Sequence, residues 1–225
     1  MSIKRTLLAL GVLAAIMLVG CKQPVGLPNN RVHAATLDTV VCLVNYQSNL
    51  TGSVLHYVDG QTPGGWYDRE NPFIKWGYSQ VNGYPYPEQY GFAVFDVPEF
   101  NSPNGLPVCT LFCYVQSYSG SVNLLVNEID PPMWTWTDPA LFQAIDTSSD
   151  TLVKDDPVTS TGWHKVALTD QGRGILGTVG SNGGDDDFYT GWKYMDTPQS
   201  GSYTRVYGAD DALSPYIVVI YEPGP

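Results

Sequence analysis

Positive charge is scarce in this chain. Its 225 residues hold 11 Lys and Arg against 22 Asp and Glu, a formal net charge of −11. A surface of that sign has little with which to neutralise phosphates, which excludes nucleic-acid binding. Charged residues of both signs make up only 15%. A coiled coil or long-helix protein draws heavily on Ala, Glu, Lys, Leu and Arg, and this composition does not. The apolar stretch Leu7–Val19 falls short of the roughly 20 residues that a membrane helix needs. Catalytic signatures are missing too. There is no Gly-x-Ser-x-Gly elbow, no His-Glu-x-x-His and no phosphate-cradling glycine loop. No Cys-x-x-Cys is present, and His33, His56 and His164 are scattered, so zinc lacks a ligand set. What is abundant is apolar and turn-forming: 43% hydrophobic residues, 23 Gly, 17 Pro, 15 Tyr, 7 Phe and 6 Trp. That excludes disorder and points to a turn-rich, aromatic, all-β globular domain.

The N-terminus reads as an address. Lys4 and Arg5 precede Leu7–Val19, which has the length of a signal-peptide core. The run ends Leu18-Val19-Gly20-Cys21, which resembles a bacterial lipobox. The resemblance implies removal of residues 1–20 and diacylglycerol on Cys21. Several acyl chains together anchor a protein, at about 0.8 kcal/mol per buried CH₂. Lys22 follows where an inner-membrane sorting signal would place Asp, which implies an outer-membrane or surface destination. Residues 21–34, with two Pro, a Gly and two Asn after the cysteine, read as a flexible tether. Cleavage removes Lys4 and Arg5 but no acid, so the mature chain is more acidic still.

Without Cys21 three cysteines remain, Cys42, Cys109 and Cys113, an odd number that cannot pair fully within one chain. Cys109 and Cys113 face the same side of a strand roughly 13 Å apart, too far to bond to each other. Either Cys42 bonds to one of them, or all three are buried thiols acting as small apolar groups.

Period-two alternation dominates the body of the chain. It predicts strands over 36–46, 53–58, 73–78, 91–97, 108–117, 121–129, 163–168, 202–207 and 215–221. In Gly91–Val97, Phe92, Val94 and Asp96 share one face and Ala93, Phe95 and Val97 the other. Val108–Ser117 and Ser121–Ile129 read as neighbouring strands joined through Tyr118-Ser119-Gly120. Asp138-Pro139 predicts a short helix with Asp138 as N-cap. A second short helix follows Thr169-Asp170, kept short by Gly172, Gly174 and Gly177. Strands at this spacing over residues 35–225 predict one antiparallel β-sandwich of jelly-roll type.

The order of motifs resembles the DNRLRE-type jelly-roll domain. Tyr90-Gly-Phe-Ala-Val-Phe-Asp-Val-Pro98, a Pro/Gly connection and Val108-Cys-Thr-Leu-Phe-Cys-Tyr114 resemble its hallmark pair of strands. Gly162-Trp163-His-Lys-Val-Ala-Leu-Thr-Asp170 and Ser214-Pro-Tyr-Ile-Val-Val-Ile-Tyr221 resemble its later segments. Thr110 and Ala167 stand where the family usually has Ala and Asp. The resemblance implies a non-catalytic surface module, of a kind in which some members bind polysaccharide.

Candidate sites follow from residue type. Trp66, Tyr67, Trp76, Tyr78, Tyr84, Tyr86 and Tyr90 form the densest aromatic stretch, set among Gly and Pro. Exposed aromatic faces stack on sugar C–H faces, so Trp66, Tyr67, Trp76, Tyr84 and Tyr86 are the expected carbohydrate platform; the alternative is that they cover a core edge. Trp134 and Trp136 have packing as their expected role. Asp185, Asp186 and Asp187 form an acidic turn whose oxygens suit a structural calcium, or simply water. The 5 Glu and 17 Asp leave room for a glycosidase pair from distant strands. The expectation is nonetheless a non-catalytic, lipid-anchored module for extracellular carbohydrate. A structural or adhesive surface protein is the alternative, and a polysaccharide hydrolase the third.

Overall fold

The computed structural model describes residues 36–45, 50–57, 66–70, 72–78, 87–101, 103–130, 137–155, 157–181, 186–196, 198–209 and 212–224, with only the backbone of Asp186. The expected signal segment 1–20, Cys21, the expected tether 21–34, Tyr84, Tyr86, Trp134, Trp136 and Asp185 lie outside these residues.

Among the described residues are twelve strands and two helices. The strands are β1 Asp38–Val44, β2 Thr51–Tyr57, β3 Trp66–Glu70, β4 Ile74–Tyr78, β5 Glu88–Val97, β6 Val108–Ser119 and β7 Leu124–Glu128. Helix α1 spans Asp138–Thr147, followed by β8 Thr151–Asp155 and β9 Gly162–Ala167. Helix α2 spans Asp170–Ser181, and β10 Asp186–Lys193, β11 Tyr203–Val206 and β12 Tyr216–Tyr221 complete the order. The ladders are antiparallel, and the fold is an all-β sandwich.

One layer, sheet I, runs β3-β2-β5-β10-β7-β8. The other, sheet II, runs β9-β6-β12-β1. The far half of β6 continues into β11 and β4, which return to β5, and β1 also touches β5 at Leu43–Asp96 and Val44–Phe95. The circuit β5-β1-β12-β6-β11-β4 is therefore closed by hydrogen bonds.

β5 shows why these residues form this element. Its alternation is apolar on both faces, which is the pattern of a strand covered on both sides. Ala93, Phe95 and Val97 enter the inter-sheet core with Trp76, Leu111, Phe188, Trp192 and Ile217. Tyr90, Phe92 and Val94 enter a second cluster on the outside of sheet I, with Leu141, Phe142 and Ile145 of α1. Burying one Leu, Ile or Phe contributes about 1.5–3 kcal/mol, so the three α1 side chains hold the helix to the sheet.

Several elements differ from the sequence reading. β7 pairs with β10 and β8, not with β6. Gly120 has φ 67 and packs so closely on Ser202 that a Cβ there would overlap it. The chain then drops Val122 into the core and crosses to the other sheet. β10 arises where an acidic turn was expected, and it is the central strand between β5 and β7. Its Phe188 and Trp192 point into the core, while Gly191 lies beneath α1, its would-be Cβ 3.0 Å from Ile145. Asp138 is not the cap of α1. Thr137 is the N-cap, and the Asp138 carboxylate accepts from Arg69 Nε at 2.9 Å across β3. Nor do the glycines shorten α2. Gly172 fits against the Leu152 backbone and Gly180 against the Phe100 ring, so small residues let the helix press onto the sandwich while Leu176 enters the core.

Cys42, Cys109 and Cys113 are free and buried in the core. Burial pushes all three thiols up to about 12, aided at Cys42 by neighbouring Cys109 and at Cys113 by Asp155, and opposed at Cys109 by Arg173. These are packing cysteines, inert at neutral pH.

Candidate functional site

The expected platform residues part company in the structure. Trp76 is fully buried and packs on Trp192 with ring centroids 5.8 Å apart, so it is core and offers no face to a ligand. Trp66, on the edge strand β3, stacks on Tyr57 with centroids 3.7 Å apart. Tyr67 points to the other side, where it stacks on His56 at 4.4 Å. Asp187 accepts from the Tyr189 hydroxyl at 3.1 Å. Among the described residues no group of three or more His, Cys, Asp or Glu is placed to hold a metal.

Tyr67 belongs to something larger. On the helix-covered side of sheet I, aromatic rings form a continuous ribbon drawn from several elements. Tyr67 of β3 meets Phe142 of α1 edge-on at 5.5 Å, and Phe142 stacks on Tyr90 of β5 at 4.5 Å. Tyr90 meets Tyr194, just after β10, at 5.7 Å, and Tyr194 meets Tyr78 at the end of β4 at 5.8 Å.

Two carboxylates sit within this ribbon. Glu88 Oε1 accepts from the Tyr90 hydroxyl at 2.9 Å and from the Tyr194 hydroxyl. The Tyr90 hydroxyl also reaches Asp146 Oδ1 at 3.0 Å, and the hydroxyls of Tyr194 and Tyr78 are 3.2 Å apart. One Tyr90 proton thus serves two carboxylates in turn. Lys193 Nζ donates to the Asp146 carbonyl at 2.7 Å, adding a cation at the margin. Burial raises the pKa of Tyr78, Tyr90 and Tyr194. At Tyr90 the charge of Glu88 raises it further, and at Tyr194 the hydrogen bond to Glu88 does so. The phenols therefore stay neutral donors at neutral pH. Tyr90 is buried, whereas Tyr78, Glu88 and Tyr194 are half-buried and Asp146 is exposed.

Local geometry puts these groups together. Glu88 and Tyr90 are two apart on β5 and share its outer face. Phe142 and Asp146 are four apart on one side of α1. Tyr78 lies directly opposite Glu88 in the β4–β5 ladder. Its neighbour Gly77 has φ 113, and a Cβ there would overlap the Ser202 carbonyl. That glycine breaks the alternation, so Trp76 faces the core while Tyr78 joins the ribbon two residues later. The segment 79–86, outside the described residues, joins Tyr78 to the start of β5 and carries Tyr84 and Tyr86 in its sequence.

Tyr78 and Tyr90 lie in the aromatic stretch singled out in the sequence. Glu88, Asp146, Phe142 and Tyr194 were missed. The i, i+2 pair Glu88/Tyr90 and the i, i+4 pair Phe142/Asp146 were readable signals, but nothing local connects them to Tyr194.

A second constellation lies at the open edge of the sandwich. His164 Nε2 is 2.7 Å from Asp155 Oδ2, and His164 faces Cys113 across the β6–β9 ladder. The three residue types are those of a thiol nucleophile, its base and its orienting acid. A thiol activated for attack has a lowered pKa, whereas burial pushes Cys113 up to about 12. The His164–Asp155 pair instead clasps β9 of sheet II to β8 of sheet I.

No protein-family model matches the chain, and no curated protein matches it.

Proposed function

We propose that this chain is an exported, lipid-anchored surface module of DNRLRE-like jelly-roll type that binds extracellular polysaccharide without cleaving it. The leader, the lipobox-like Gly20-Cys21 and the tether support the export and anchoring. The observation that carries the binding is Glu88, a half-buried carboxylate accepting from Tyr90 and Tyr194 inside an aromatic ribbon. Sugars need both parts of such a site. Vicinal hydroxyls bind carboxylate oxygens and phenol hydroxyls, and C–H faces lie on rings. In this reading Tyr78 and Tyr194 supply the faces, and Glu88 and Asp146 the acceptors. Tyr84 and Tyr86 lie close in sequence to Tyr78 and Glu88, and Tyr67 extends the site toward the β3 edge.

The test is retention of the full chain on a panel of neutral, acidic and amino-sugar polysaccharides. A hydrogen bond to a charged group contributes about 1.5–3 kcal/mol. Glu88→Gln should therefore weaken binding to the retained polysaccharide by at least tenfold, and Tyr194→Ala by a similar factor. Unchanged retention of both variants would sink the site. Release of new reducing ends by the wild type would replace the binding reading with the hydrolase.

A further inference from the structure

The outer face of sheet II is built unlike that of sheet I. Positions alternating with the buried Cys42, Cys109, Leu111, Ile217 and Val219 point away from the core. The register sets them in rows across β1, β12, β6 and β9. Val41 lies beside Val218, Thr110 and Ala167; Leu43 beside Tyr216, Phe112 and Lys165; and Tyr114 beside Trp163. Val108 is 57% exposed, Trp163 49% and Leu43 45%. These rows hold no carboxylate, in a chain with 22 acidic residues, and Lys165 is their one charge. Among the described residues neither helix lies on this face: α1 packs on β2, β3, β5 and β10, and α2 on β8 and β10. A contiguous apolar patch of this kind marks a place where something docks.

Three observations select the occupant. Leu37, directly before β1 and 64% exposed, continues the outward alternation of Val41 and Leu43, and in sequence it is the sandwich residue that follows the tether. Fully extended, the chain between Cys21 and β1 spans at most about 60 Å, so a lipid on Cys21 keeps the face within reach of a bilayer. The composition, aliphatic Val41, Leu43 and Val108 flanked by Trp163 and Tyr216, suits an interface where aromatic rings sit at headgroup level. A second copy fits less well. From strand spacing the rows cover roughly 300 Å², against about 800 Å² per partner in a stable interface. Two chains of net charge −11 also repel.

We propose that the β1-β12-β6-β9 face lies on the surface of the lipid bilayer that holds the chain, with Trp163 at the headgroups and the carboxylate-bearing end of sheet I turned elsewhere. The proposal rests on the lipid anchor proposed above. It is tested with the full lipidated chain on phosphatidylcholine/phosphatidylglycerol vesicles, with and without brominated acyl chains. Co-sedimentation reads the anchor, and quenching of tryptophan by bromine reads the face. The wild type should sediment and be quenched. Trp163→Phe should lose at least half of the quenching. Leu43→Asp with Val108→Asp should still sediment, with quenching reduced at least threefold. Sedimentation with quenching equal in wild type and Trp163→Phe would overturn the docking and leave the anchor standing. No sedimentation would remove both. Cross-linking between copies of the Leu43→Cys variant through position 43 would show a second copy on the face and overturn the lipid occupant.

Discussion

The two outer faces of this sandwich solve one problem in opposite ways. Each sheet has an inner face in a shared core, and each has an outer face left over. Sheet I covers its outer face with α1, which brings Leu141, Phe142 and Ile145 onto Tyr90, Phe92 and Val94. Sheet II leaves Leu43, Val108 and Trp163 exposed. On sheet I the helix also carries Asp146 to the aromatic ribbon, so covering the face and building the polar site are one act. On sheet II, among the described residues, neither helix packs on the apolar surface. The lesson is that outward alternation alone does not say whether a face is solvated. β5 and β6 carry apolar residues at outward positions alike, and only a long-range helix distinguishes them.

Truncating a side chain should affect the two outer faces very differently. Leu141→Ala should destabilise by about 2–5 kcal/mol, as buried large-to-small changes do. Leu43→Ala on the bare face should stay within about 0.5 kcal/mol. Chemical denaturation of both variants measures the gap. Equal losses would mean that the sheet II face is covered in the isolated chain or that α1 is not docked.

A smaller effect is expected where α1 crosses β10. A Cβ at Gly191 would stand 3.0 Å from Ile145 and 3.1 Å from Ile129. Gly191→Ala should cost about 1–3 kcal/mol through overpacking. Ile145→Val in the same chain should return part of that loss. Strict additivity in the double-mutant cycle would argue against the contact.

The smallest effect depends on pH. Glu128 on β7 has a raised pKa, first through burial and then through the charges of Asp150 and Asp130. A raised acid pKa means that the folded state holds the proton more tightly than the unfolded one. The stability this gives is full below the unfolded value and is lost as pH rises through the folded one. Glu128→Gln should therefore raise the melting temperature at pH 7, and the gain should vanish below about pH 4. A gain that persists in acid would contradict the assigned cause.

How far the sequence carried can be judged from single elements. β5 and the first half of β6 were legible because their alternation is unbroken and their ends are marked by Pro98 and Pro107. β10 was not, because it opens on acids and contains Gly191. Both features suit a strand that starts at the sandwich end and runs under a helix, and neither is visible without that helix. Trp76 and Tyr78 share a face by period two, yet they part at Gly77, which has a positive φ and lies hard against Ser202, more than a hundred residues away. The site was half legible for the same reason. Tyr78, Tyr90 and Tyr67 were in view as a composition, but Glu88 gains its meaning only when β10 delivers Tyr194 and α1 delivers Asp146.

The closed circuit of strands bears on how this chain must be made. β1, the first strand, has its main ladder with β12, the last, from Asp38–Tyr221 to Leu43–Tyr216. Pairing across so long a stretch of chain is slow, because the ends must meet before any reward is gained. While synthesis is under way β1 can reach only its short pairing with β5, at Leu43–Asp96 and Val44–Phe95, since residues 216–221 do not yet exist. The sandwich stays open, and threadable, until its final strand is released.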